Sequence, residues 1–183
     1  MLRSWYVAVG VLALAACERG QPAAPAITLT AGALDAHLGT VQGSGQYNLA
    51  GLIVDFALEA EQKNEEKAVG KFSVFADEGD GVTVNFTGIV TCVAIDEVKH
   101  RAWIGGVVQN NRSTDPAFDT PIQRPGHDIW FRILDLPGGD RSTFTGFEGS
   151  AGFLTSADYC AGRPWPDNNA RTWPVVVGGF EIN

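Results

Sequence analysis

Carboxylates in turn-rich stretches, three histidines, and tryptophans out of step with their apolar neighbours are the residues here equipped for chemistry. Glycan cleavage needs two carboxyl groups about 5–10 Å apart across a cleft. The acids on candidate loops are Asp115, Asp119, Glu148 and Asp158. His127 and Asp128 are adjacent and could orient a general base. Neighbours on a strand point to opposite faces, however, and are badly placed to bond one another. His37 falls near a Pro/Ala-rich segment and His100 follows a turn. Asp77, Glu78 and Asp80 offer oxygens to Ca²⁺, as do Asp135 and Asp140. Neither set has the spacing of a calcium loop, and Asp with Gly is what hairpin turns require. Phosphate-loop, Gly-x-Ser-x-Gly, His-Glu-x-x-His and Cys-x-x-Cys signatures are absent. The sequence calls for no catalytic set, no metal and no cofactor.

Trp103 and Trp130 fall opposite the aliphatic positions of their segments. Trp165 and Trp173 stand in a late loop with Pro164, Pro166 and Pro174. Trp beside polar neighbours marks a surface for a glycan, peptide or protein partner. The alternative is that the loops lie over these rings and bury them. The candidate binding surface is therefore Trp165, Trp173, Trp130 and Trp103. It belongs to the loop face made by 109–126 and 137–173, because long loops on a rigid sheet are where binding residues sit.

The first residues read MLRSWYVAVGVLALAAC. Arg3, an apolar run from Tyr6 to Ala16 and small residues at its end follow the grammar of an export signal. The run is shorter than the ~20 residues a membrane-crossing helix needs. Leu14-Ala-Ala-Cys17 resembles the bacterial lipobox, in which the cysteine receives a thioether-linked lipid and becomes the new N-terminus. This predicts a lipoprotein signal peptide over 1–16 and a lipidated Cys17 opening a tether over 17–39. Several acyl chains, at ~0.8 kcal/mol per buried CH₂, hold such an anchor in a membrane. Glu18, where Asp would signal inner-membrane retention in enteric bacteria, points to the outer membrane, facing the periplasm or cell surface. Cys92 and Cys160 remain. In an exported chain two cysteines read as one disulfide; two buried thiols are the alternative.

The elements that must position these groups follow from a period of two after Thr40. Val54, Phe56, Leu58 and Ala60 alternate with polar residues. So do Phe72, Val74 and Ala76, then Val82, Val84, Phe86, Val90 and Cys92. Ala102, Ile104, Gly106 and Val108 make another face, and Ile129, Phe131 and Ile133 the next. Val175–Ile182 closes the chain. Such alternation predicts strands with one buried face. Asn48–Gly51, Asp77–Gly81 and Asp96–Lys99 are hairpin-length links, and short links make antiparallel neighbours. The reading is an all-β domain over 40–183 of seven to nine strands. It is one antiparallel meander closing as a β-barrel or a two-sheet sandwich, with two long loops.

The chain has 183 residues, a net charge of -8 and 19% charged residues. Acidity argues against nucleic acid as a partner, since that needs clustered Lys and Arg. Low charge with 45% hydrophobic residues excludes a disordered tail.

Several pieces in order are similar to an uncharacterised family of exported bacterial β-domain proteins. They are Gly43-Ser-Gly45, Val90-Thr-Cys92-Val, Ala102-Trp-Ile-Gly-Gly-Val-Val108, Trp130-Phe-Arg-Ile-Leu-Asp135, Cys160 and Gly179-Phe-Glu-Ile182. The resemblance spans residues 40–183. Members follow the Phe-Arg strand with an Asp-Asn-Gly-Glu-like turn, whereas here Asp135 leads into Leu-Pro-Gly-Gly-Asp140. The resemblance implies an all-β exported body with a disulfide, and no activity. Anchor, tether and Trp-bearing loops together predict a non-enzymatic envelope module that binds a protein, a glycan or a small apolar ligand. The competing expectation is an envelope glycan-cleaving hydrolase working through the loop carboxylates.

Overall fold

The structure is a computed structural model that describes residues 38–64 and 67–183. The expected signal peptide, Cys17, His37 and nearly all of the expected tether lie outside the described residues. Nine strands form one sheet: β1 (Gly39–Leu49), β2 (Leu52–Gln62), β3 (Ala68–Gly79), β4 (Val82–Asp96), β5 (Arg101–Asn111), β6 (Asp128–Leu134), β7 (Arg141–Thr143), β8 (Gly146–Phe147) and β9 (Thr172–Ile182). Every pairing is antiparallel. β1 through β6 run as a meander, β7 follows β6, and β9 bridges β7 and β1. Eight strands thus close a barrel, and β8 pairs on β6 as an extra strand. Of the two architectures open to the sequence, the barrel is the one formed, which removes the edges an open sheet would expose.

The interior comes from the alternating positions. Phe180, Gly43, Leu58, Phe72 and Gly88 stand in one row across β9, β1, β2, β3 and β4. The row works because Gly88 leaves room for its partner: a Cβ there would sit 2.2 Å from the Phe72 ring. Phe72 then meets Phe131 edge-on at 5.2 Å.

Two readings of the pattern need correction. Cys92 does not share the face of Val84, Phe86 and Val90. A bulge between Val90 and Cys92 adds a residue and flips the phase. Val93 therefore packs inside, while Cys92 and Ala94 pack in a separate outer cluster. Nor is 137–173 one irregular loop. It contains β7, β8 and a helix, α1 (Ser156–Gly162), which alternation could not reveal. Thr155 caps α1, its hydroxyl accepting from the Asp158 N–H at 3.1 Å. The helix ends at Arg163 in the left-handed region, φ 42°.

The other long stretch, after β5, folds into two 3₁₀ turns, Pro116–Phe118 and Pro121–Gln123. Phe118 packs edge-on against Phe86 at 5.6 Å and Phe144 at 6.0 Å.

Candidate functional site

A second layer covers the outer side of β4, β5 and β6. Every residue of β6 after Asp128 is buried, on both faces of the strand. The outer face carries Trp130 and Arg132, and β5 adds Trp103 and Gly105. α1 lies against them and is tied down by the Cys92–Cys160 disulfide, S–S 2.07 Å, across 68 residues of sequence. Gly105 allows this approach: a Cβ there would stand 2.5 Å from Cys92 Sγ and 2.8 Å from Ser156 Cβ. Tyr159 of α1 stacks on Trp130 at 5.7 Å and meets Phe153 edge-on at 5.4 Å. Burial pushes the Tyr159 phenol well above its ordinary pKa.

From α1 the chain turns through 163–171 to β9, and arginines hold this segment by its carbonyl oxygens. Arg132, fully buried, donates to Pro164 O at 3.3 Å, Ala170 O at 2.7 Å and Trp165 O. Arg101 donates to Trp165 O at 3.4 Å, to Asn168 O, and to Asn169 Oδ1 at 3.2 Å. Trp103 Nε1 donates to Pro164 O at 2.9 Å. Burial lowers the Arg132 pKa to about 10 and nearby Arg101 acts the same way, while Tyr159 opposes them. Arg132 remains a cation at neutral pH.

The clamp holds an unusual backbone. Arg163, Trp165 and Arg171 all have positive φ, at 42°, 55° and 58°. A bulky residue such as Trp in this region costs about 1–3 kcal/mol and persists where its surroundings over-determine it. Here the charge-assisted bonds from Arg101 and Arg132 supply that constraint.

Held this way, the segment walls a cavity of about 330 Å³ together with Trp130, Phe144, Thr145, Tyr159 and Trp173. The Arg171 and Arg132 guanidinium carbons lie 5.1 and 5.6 Å from the Trp165 ring centroid, within cation–π range. The Thr145 hydroxyl is buried and has no hydrogen-bond partner.

Three of the four tryptophans singled out in the sequence, Trp130, Trp165 and Trp173, therefore meet at one cavity. The fourth does not: Trp103 is 1% exposed and supports the Trp165 segment from beneath. Trp130, 2% exposed, reaches the cavity only from below as part of its wall. The face is also narrower than expected. The cavity's lining comes from Trp130 and the 137–173 stretch, and 109–126 reaches it only through the Phe118–Phe144 contact.

The loop carboxylates go elsewhere. Asp115 caps a 3₁₀ turn. Glu148 bonds His127 Nδ1 at 2.8 Å. Asp119 and Asp158 are exposed. Asp128 accepts from the Ser156 N–H at 2.7 Å, and the His127 ring bonds Glu148 instead. Asp135 and Asp140 accept from the β9 N–H groups of Ile182 and Phe180, at 3.3 and 2.7 Å. No group of three or more His, Cys, Asp or Glu side chains placed to hold a metal occurs among the described residues.

Sequence reasoning missed Arg101, Arg132, Arg171 and Thr145. One signal was present for Arg132: a lone charge inside an otherwise apolar Ile129–Leu134 run means a strand covered on both faces. A larger depression, about 800 Å³, is lined by residues of β9 and β1–β5, among them the interior-row Leu58 and Phe72 and the outward Glu59 and Lys71. Its charged groups are already partnered, Lys71 with Glu59 at 3.3 Å and Glu181 with Gln42 at 2.7 Å. No family model, curated protein or solved structure matches the chain.

Proposed function

We propose that this protein is a lipid-anchored bacterial envelope module whose β-domain binds a small, ring-bearing ligand in the Trp-lined cavity. The carrying observation is that cavity itself: a concave site walled by the part-exposed Trp165 and Trp173, with Trp130 and Tyr159 beneath and Arg171 at its edge. Small-ligand sites are concave and mostly apolar, with a few placed polar groups. The Cys92–Cys160 bond fits an oxidising compartment, in keeping with the export signal in the first 17 residues. Arg101, Arg132 and the disulfide fix the cavity walls before any ligand arrives, which reduces the ordering cost of binding.

Tryptophan fluorescence of the full chain, titrated with phenol, benzoate, glucose and glucuronate, tests the cavity. At least one compound is expected to give a saturable change that the double substitution Trp165→Ala, Trp173→Ala abolishes while circular dichroism stays that of the β-domain. No saturable response to any of the four, or an unchanged response in the double variant, overturns the reading. The anchor has its own test. Cys17→Ala is expected to release the protein from membranes, and retention with unchanged processing overturns that part.

A further inference from the structure

We infer that the ligand of this cavity is an anion: a single ring, aromatic or saccharide, bearing a carboxylate or similar negative group. This rests on the binding reading above and adds the ligand's charge to it. The walls supply aromatic faces, hydroxyls and the Arg171 side chain, and no acid. No carboxylate among the described residues lies within ion-pair distance of Arg171, Arg132 or Arg101. The hydrogen bonds of Arg132 and Arg101 all go to uncharged oxygens, and the Nε of each is buried without a partner. Asp167, the one acid of the 163–171 segment, is bonded to Lys99 at 2.6 Å. Among the described residues, the guanidiniums of Arg101, Arg132 and Arg171 thus have no bonded carboxylate, Asp167 acting on Arg101 only at longer range, in a chain whose net charge is -8.

The geometry divides the work between ring and charge. Trp165 and Trp173 bring aromatic surface to the cavity wall. Arg171, exposed and above the Trp165 ring, can give a carboxylate two parallel N–H donors, the arrangement guanidinium favours. Thr145 lines the same cavity, with its hydroxyl buried behind the surface and unpartnered. A neutral ring would use the aromatic surface but make no ion pair with Arg171. A volume of about 330 Å³ is at the small end for ligand sites, which fits one ring with its substituents and excludes an oligosaccharide or a folded peptide.

Equilibrium dialysis of the full chain against two matched pairs, benzoate with benzamide and glucuronate with glucose, tests this. In at least one pair the acid is expected to bind about ten-fold tighter than its neutral partner, the value of one charge-assisted bond. Arg171→Gln is expected to erase that advantage and Arg171→Lys to keep part of it, with Tm unchanged because the side chain is exposed. The pair that responds tells an aromatic ring from a saccharide ring. A neutral member binding as tightly as its acid, or an acid preference that survives Arg171→Gln, overturns this inference and leaves the cavity reading standing. Binding by none of the four compounds overturns both.

Discussion

Inside the barrel, Leu58, Phe72, Ile104 and Phe131 meet other apolar side chains. On the outer side of β4, β5 and β6, Trp103, Trp130 and Tyr159 are just as dry, yet they share their space with a disulfide and a buried arginine. Apart from Gln123, the buried polar residues are Arg101, Arg132, Ser142, Thr143, Thr145, Ser156 and Thr172. All of these belong to β5, β6, β7, β9, α1 or the segments beside them. The interior is held by non-directional burial, in which many residues of suitable size would serve. The outer layer is held by directional bonds, in which each partner has one position. A fold can thus keep a generic core while an attached layer fixes a site to within bonding distance.

The disulfide gives the strongest way to break that contrast. Closing so long a loop is expected to stabilise the fold by about 4 kcal/mol, chiefly through the unfolded chain. Reduction should lower the urea midpoint accordingly. In the still-folded protein, hydrogen exchange should accelerate in α1 and 163–171 while β1–β3 stay protected. Equal acceleration in both regions would show that the outer layer and the barrel form one cooperative unit. Leu58→Ala probes the interior alone. Removing a side chain that is 3% exposed should cost about 3 kcal/mol as transfer plus cavity terms and leave ligand binding intact below the melting transition.

Arg132→Met sharpens the comparison from the other side. The side chain is apolar and of similar length, but Ala170 O loses its donor and Trp165 O keeps only the 3.4 Å bond from Arg101. The expected loss is about 2 kcal/mol, smaller than for Leu58→Ala. Cavity binding should nevertheless disappear, because Trp165 is released from its left-handed backbone. Arg132→Lys should restore little, since one ammonium cannot span the carbonyls that the planar guanidinium reaches. Retained binding in Arg132→Met would mean that the disulfide and Trp103 suffice to hold the segment.

The same contrast explains what was legible in the sequence. Val54 to Ala60, Phe72 to Ala76 and Ala102 to Val108 announce the barrel because a period of two is imposed wherever one face is buried. Cys92 misled because a one-residue bulge leaves no mark of its own in the pattern. α1 is seven residues, shorter than a helical period needs in order to show, and only Thr155 with Asp158 three positions on hints at its cap. The Trp residues were readable as residue types, and so was the disulfide as a pair. Which tryptophans share a cavity was not readable. That depends on Arg101 and Arg132 reaching carbonyls more than 30 positions away, and carbonyls are the same in every residue.

The smallest effect belongs to the rim of the outer layer, where Lys99 donates to Asp167 at 2.6 Å. The bond to Asp167 raises the Lys99 pKa, and the bond to Lys99 lowers that of Asp167. Both groups are solvent-exposed, so screening keeps the contribution slight. Its sign with pH is nevertheless fixed. Asp167 titrates lower in the fold than in the unfolded chain, so its contribution is whole above about pH 4 and fades as pH falls through the depressed value. Lys99 titrates higher in the fold, so its contribution is whole below about pH 10 and fades as pH rises through the elevated value. Lys99→Gln should therefore lower Tm slightly at neutral pH and low salt, less than any substitution above. The difference should close towards strong acid and with added salt. A Tm difference that stays constant from neutral to strongly acidic pH would mean that Lys99 acts by packing its methylene chain, and that the outer layer ends at the arginine clamp.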